Sequence, residues 1–119
     1  MDIRSAIQNA DDKPLKPVVC STWSSNGWDG TIYVRTMTGR ERDEFEHAVS
    51  KATRKNDNRG LKLRLVLLTC CKETGELLFT DEDIDWLADK SAMELDRLAN
   101  AALQANGFSE KDVADLEKN

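Results

Sequence analysis

The run LKLRLVLLTCC at 61–71 is the longest apolar stretch in the chain, and it decides what the rest can fold around. Leu61, Leu63, Leu65 and Leu67 alternate with Lys62 and Arg64 as in a strand. The same residues also place Leu61, Leu65 and Leu68 on one face of a helix, with Leu63, Leu67 and Cys71 beside it. Leucine favours helix over the β-branched residues that usually fill strands, so a helix is expected. After it, ETGE at 73–76 has turn chemistry, with Gly75 free to adopt positive φ, and Leu77, Leu78 and Phe79 form a short extended apolar bridge.

Helix starts are signalled four times by one device. A hydroxyl residue is followed three positions later by a carboxylate, a pair that can satisfy the free amide donors of a first turn. Thr38 with Glu41, Thr80 with Asp83, Ser91 with Glu94 and Ser109 with Asp112 all fit. Each precedes apolar residues at helical spacing: Phe45 and Val49; Ile84, Leu87 and Ala88; Leu95, Leu98 and Ala102; Val113 and Leu116. Gly107 stands where a left-handed cap would close the helix begun at Ser91. The second half therefore reads as helix after helix.

The first half reads differently. VVCSTW at 18–23 and GTIYVRTM at 30–37 are rich in β-branched and aromatic residues, and the SSNGWD between them is turn chemistry. A β-hairpin over 18–37 is expected, packed on the helices because an isolated hairpin is marginal. Residues 1–17 read as a short helix or a loose arm interrupted by Pro14 and Pro17. A helix from about Gly39 to Thr53 would bury Phe45, Ala48, Val49 and Ala52 and leave His47 among charges in solvent. The expected fold is α+β, mainly α, with an N-terminal hairpin on a bundle of four to five short helices, and 18–119 forming a single domain.

Composition excludes several classes. The chain has 119 residues, enough to bury roughly two-thirds of its unfolded surface in one domain. A charged fraction of 33% and a net charge of -5 argue against non-specific attraction to nucleic-acid phosphates. The one basic cluster, Arg54 to Arg64, lacks interleaved aromatics and reads as a solvated loop. No apolar span suits a membrane and the start carries no signal peptide, so the cytoplasm is the expected compartment, which the resemblance below makes that of a bacterial host. Cys70 and Cys71 are neighbours whose Cα atoms stand about 3.8 Å apart, too close for an ordinary disulfide. Cys20, Cys70, Cys71 and His47 lack the paired spacing of a zinc site, so buried or half-buried thiols are expected, with no metal and no cofactor. No nucleophile–base pair or phosphate-cradling glycine loop is present, and the carboxylates fall at helix caps and exposed faces, so no catalytic residue is expected.

The run WDGTIYVR at 28–35 followed by TGRERDEFE at 38–46 resembles the N-terminal signature of tail assembly chaperones of long-tailed bacteriophages. The resemblance continues in order through 61–68, 75–79, Asp81 to Ile84, Lys90 to Ala92, Leu95 to Leu98, Asn106 with Gly107, and the close from Asp112 to Asn119. Two departures stand out. Ala99 lies where the family carries a bulky apolar residue, and 24–27 lengthens the hairpin turn.

The resemblance implies a non-enzymatic protein that binds the tape measure protein, keeps it soluble during tail morphogenesis and is absent from the mature virion. It also implies self-association, and a longer form made by a ribosomal slip that recruits the tail tube protein. Lys118-Asn119 is codable within such a slippery run. Leu77, Phe79, Ile84, Trp86 and Leu87 flank a turn and are the candidate partner-binding residues, with a core role as their alternative. Trp23 and Trp28 flank the hairpin turn and either stack on a partner or pack on the protein itself. The alternative to a chaperone is a structural minor tail or head–tail connector protein. A small regulator using the 54–64 cluster on nucleic acid is a third.

Overall fold

A computed structural model describes residues 1–108. Five helices and a three-stranded antiparallel sheet follow one another as α1 (Ile3–Asn9), β1 (Leu15–Val19), β2 (Thr31–Arg35), α2 (Gly39–Lys55), α3 (Leu61–Thr69), β3 (Cys70–Cys71), α4 (Ile84–Ala88) and α5 (Ala92–Ala105). The architecture is the expected one: α+β, mainly α, with a hairpin ahead of the helical half.

The sheet order is β1-β2-β3, with Val18 opposite Ile32, Lys16 opposite Val34, and Val34 opposite Cys70. Cross-strand partners share a face, so these residues line one side of the sheet. Val18, Ile32, Val34 and Cys70 are buried there. Lys16 at the edge reaches over to Gln104 of α5, its Nζ donating to Oε1 at 3.2 Å. The opposite face carries Pro17, Val19, Thr31, Tyr33 and Cys71.

Helix α5 covers the inner face with Leu98, Ala99, Ala101, Ala102 and Leu103, all buried. Ala99, the position expected to be bulky from the family pattern, is 2% exposed. Its small side chain suits a close approach to the neighbouring elements. Helix α3 fills the centre with Leu65, Val66, Leu67 and Leu68, and the leucine-rich run is a helix up to Thr69. Its last two residues turn into β3, because the backbone of Cys71 pairs with Leu77 across the Gly75 turn. That turn closes through Gly75 N–H donating to Lys72 C=O at 2.8 Å.

Two of the four cap signals form as read. Thr38 and Glu41 make a reciprocal capping box on α2. Asp83 accepts from the Thr80 N–H at 2.8 Å. Ser91 makes no side-chain cap, and the Glu94 carboxylate that would complete the box is engaged with Thr22. Ser109 and Asp112 lie outside the described residues. Gly107 caps α5 at φ 73, with Phe108 N–H donating to Leu103 C=O at 3.0 Å and Gly107 N–H to Gln104 C=O at 3.2 Å. Those two bonds are a Schellman closure.

The hairpin differs from its expected outline. The first strand begins at Leu15, before the Val18 start read from the sequence, and Ser21–Trp23 forms a 3-10 turn in place of extended chain. The cause is Gly30, whose carbonyl accepts from Cys20 N–H at 2.8 Å as the last rung of the ladder. Beyond that rung the chain curls, and Trp23 N–H donates to Cys20 C=O at 2.9 Å.

Candidate groove on the outer sheet face

Five aromatic side chains meet over the outer face of the sheet. The chain holds three tryptophans, one tyrosine and three phenylalanines. Trp23, Trp28, Tyr33, Phe79 and Trp86 line one groove of about 930 Å³, which is the size of a ligand or peptide site. Only Phe45 and Phe108 lie elsewhere, edge to face with each other at 5.8 Å. The five come from separate places: the 3-10 turn, the loop after it, β2, the segment after Leu78, and α4.

Each indole N–H on the rim is already satisfied by the chain. Trp28 Nε1 donates to Thr31 C=O at 3.2 Å, and Trp86 Nε1 donates to Asp83 Oδ1 at 2.9 Å. Phe79 meets Trp86 edge to face at 6.0 Å and 67°. The polar handles hold the rings in place while Trp28 and Trp86 stay 42% and 48% exposed. A tryptophan with its N–H satisfied and its ring in water is an anchor for apolar contact.

The wall that carries Trp23 is fixed from behind. Glu94 is 2% exposed, and its Oε2 accepts from Thr22 N–H at 3.1 Å and Thr22 Oγ1 at 2.7 Å. Arg97 Nε donates to the other oxygen at 3.0 Å. The Thr22 hydroxyl, and with it Arg97, holds the Glu94 carboxyl below the usual carboxylate range. The lowered value means the ionised form is favoured in the fold. Its contribution to stability is complete above the unfolded value near 4.5 and is lost as pH falls through the lower folded value. Glu94→Gln is therefore expected to be less stable than the parent at pH 7, with the difference closing as pH falls from the unfolded value near 4.5 through the lower folded value. Thermal melts of both proteins across that range check it; a constant difference would contradict it.

The residues expected to bind a partner divide among several settings. Phe79, Trp86 and Leu87 line the groove, although Leu87 is 1% exposed and forms its floor. Ile84 turns to a shallower depression beside Ala48 and Leu61. Leu77 is half-buried and occupied in the ladder with Cys71. Trp23, Trp28 and Tyr33 supply the other half of the groove.

The remaining clusters are engaged in structure. Burial pushes the Cys20 thiol up to about 11 and the Cys70 thiol up to about 12, which keeps both protonated. Among the described residues no group of three His, Cys, Asp or Glu side chains could hold a metal ion. In the basic cluster Arg59 pairs with Asp57 at 2.7 Å, Lys62 with Asp96 at 2.9 Å and Arg64 with Asp81 at 2.8 Å. His47 is exposed on α2. No helix among the described residues is long and apolar enough to cross a membrane.

Comparison with solved structures finds a chain of similar fold. The bacteriophage HK97 tail assembly chaperone superposes with a TM-score of 0.60, over 91% of this chain and 95% of that one, at 16% identity. The chain has the fold of a tail assembly chaperone. No protein-family model and no curated protein matches the sequence. The resemblance read from 28–46 and the ordered segments after it thus agrees with the shape of the folded chain. In this chaperone fold the groove lies on the face of the sheet that α5 leaves open.

Proposed function

We propose that this protein is a phage tail assembly chaperone that binds the tape measure protein and keeps it soluble until tail tube subunits gather around it. The observation that carries the reading is the aromatic groove in a chain of this fold. A long helical client exposes apolar stripes that aggregate in water, and a groove with fixed aromatic anchors covers one turn after another. The protein acts by occupancy, in the cytoplasm of the host, and leaves before the virion is complete. A longer form, made by a slip at the Lys118-Asn119 codons, recruits the tube protein.

Co-expression with the tape measure protein of the same phage tests the reading. Soluble, co-purifying tape measure protein is expected, and its continued aggregation would remove the proposal. The chain is expected to be missing from purified particles; finding it there would favour a minor tail or connector role. A gene lacking a slippery run before its last codons would remove the longer form and leave the short form's role intact.

Trp86 supplies a sharper test. Trp86→Ala is expected to weaken tape measure binding at least tenfold, since tryptophan is the residue type that most often carries binding energy and this ring is half-exposed beside the groove. Stability should fall by about 1–3 kcal/mol, from the edge-to-face contact with Phe79, the indole bond to Asp83 and the covered half of the ring. Pull-down and thermal melts of the same preparation separate the two effects. A loss of several kcal/mol would make Trp86 a core residue.

A further inference from the structure

Net charge in this protein is confined to one place. Residues 72–90 hold seven of the 22 carboxylates and two of the 17 cations, which leaves fifteen of each in the rest of the chain. The formal charge of -5 is therefore that of the segment running from the end of β3 through α4. This segment also supplies Phe79, Trp86 and Leu87 to the groove.

The acidic side chains there are not consumed by the fold. Asp81 pairs with Arg64 and Glu76 with Lys72. Among the described residues none of Glu82, Asp85 and Asp89 has a cation within ion-pair distance, and all three are exposed. Asp85 and Asp89 stand four residues apart, a spacing at which like charges repel along a helix. Glu82 and Asp89 lie one turn before and after Trp86, and Asp83 holds its indole. The half-exposed anchor thus stands beside three unpaired carboxylates at the groove's edge, while the lining itself carries Lys72 and Lys90 against Asp29 and Glu73.

We infer that the groove takes an amphipathic helix whose apolar stripe is flanked by lysine or arginine, the stripe lying on the five aromatics and the cations over Glu82, Asp85 and Asp89. The inference rests on the chaperone reading and adds the chemical class of the segment that is captured. Apolar contact gives affinity, and the acidic wall selects among helices that share an apolar stripe. A helix with the same stripe and acidic flanks is repelled by these carboxylates, and one with neutral flanks gains nothing from them.

Two synthetic helical peptides of about 18 residues test this; each has the same leucine stripe, and the flanks are lysine in one and glutamate in the other. Fluorescence anisotropy against the full chain is expected to show the lysine peptide binding at least tenfold tighter at low salt. The preference should shrink as the salt concentration rises, because exposed charges are screened. The triple variant E82Q/D85N/D89N, at three exposed positions outside the groove lining, is expected to lose the preference, the lysine peptide weakening and the glutamate peptide tightening toward a common affinity. Its melting temperature should stay level or rise as the repulsion is relieved.

Equal affinity for the two peptides, no binding of either, or a preference that survives in the triple variant would overturn the inference. Failure of the chaperone reading looks different. If the lysine peptide is preferred but the tape measure protein is not solubilised, the acidic groove stands with another client. If the tape measure protein is solubilised by the parent and the triple variant alike, the reading stands and the charge selection falls.

Discussion

Gly30→Ala is expected to lower stability by more than about 3 kcal/mol, on the scale reached by single substitutions that strain a special backbone position or overpack a core. Gly30 sits at φ 92, a conformation that side chains with a Cβ rarely adopt, and that strain alone costs about 1–3 kcal/mol. An added methyl would also press into the backbone of Cys20, with its carbonyl carbon only 2.9 Å away. Neither group can yield, since Gly30 C=O and Cys20 N–H form the last rung between β1 and β2. Relief would have to come from the 3-10 turn, which carries Thr22 and Trp23, so the groove should open as the fold weakens. Gly75→Ala is the matched control. Gly75 has a similar φ of 89 but nothing within 4 Å of a new Cβ, so it reports backbone strain without the clash. Chemical denaturation of both variants is expected to show Gly30→Ala the worse by at least about 1 kcal/mol. Equal losses would mean that the contact with Cys20 is not a constraint.

Phe45→Ala is expected to cost about 3–5 kcal/mol, the usual range for removing a fully buried aromatic ring. Phe45 is 1% exposed on the inner face of α2, with the Phe108 ring edge-on to it and the Arg42 guanidinium 4.1 Å over Phe108. Phe108 is the residue whose N–H closes α5, so the stack ties the end of α5 to the middle of α2. Truncation should therefore speed amide exchange at Phe108 and Gly107 more than at Leu65 or Val66 in α3. A loss under about 1 kcal/mol would show that the neighbouring side chains collapse into the space.

The local chemistry of this fold was legible in the sequence wherever it stays local. Thr38 with Glu41, Thr80 with Asp83, and Gly107 act within one turn of themselves, and each forms the closure its residue type suggests. Glu94 shows where such reading stops. Its spacing from Ser91 is that of a cap, yet the carboxylate bonds Thr22, 72 residues away, because burying a carboxylate demands every donor within reach. Asn106 is a second case. Its side chain accepts from Met37 N–H at 2.7 Å and donates to Ala102 C=O at 2.8 Å, joining the entry of α2 to the end of α5. No spacing rule points across that distance.

The groove was half legible for the same reason. Phe79, Trp86 and Leu87 belong to one segment and were read together, whereas Trp23, Trp28 and Tyr33 arrive through the sheet. The alternation in TIYVR does put Tyr33 opposite Ile32, and a hairpin backed by helices on one side leaves the Tyr33 face open. That signal was present. What it lacked was β3: the pairing of Tyr33 with Cys71 brings 71–79 alongside β2, and a two-residue strand has no periodicity to read.

Hydrogen exchange of the chain alone and with the proposed client, the tape measure protein of the same phage, tests the central claim most directly. Amides in 22–33 and in 71–90, the two sides of the groove, are expected to slow on binding, while those of α2 away from the sheet stay unchanged. Protection centred instead on 48–64, around the depression beside Ile84, would contradict the assignment of the aromatic groove as the client site.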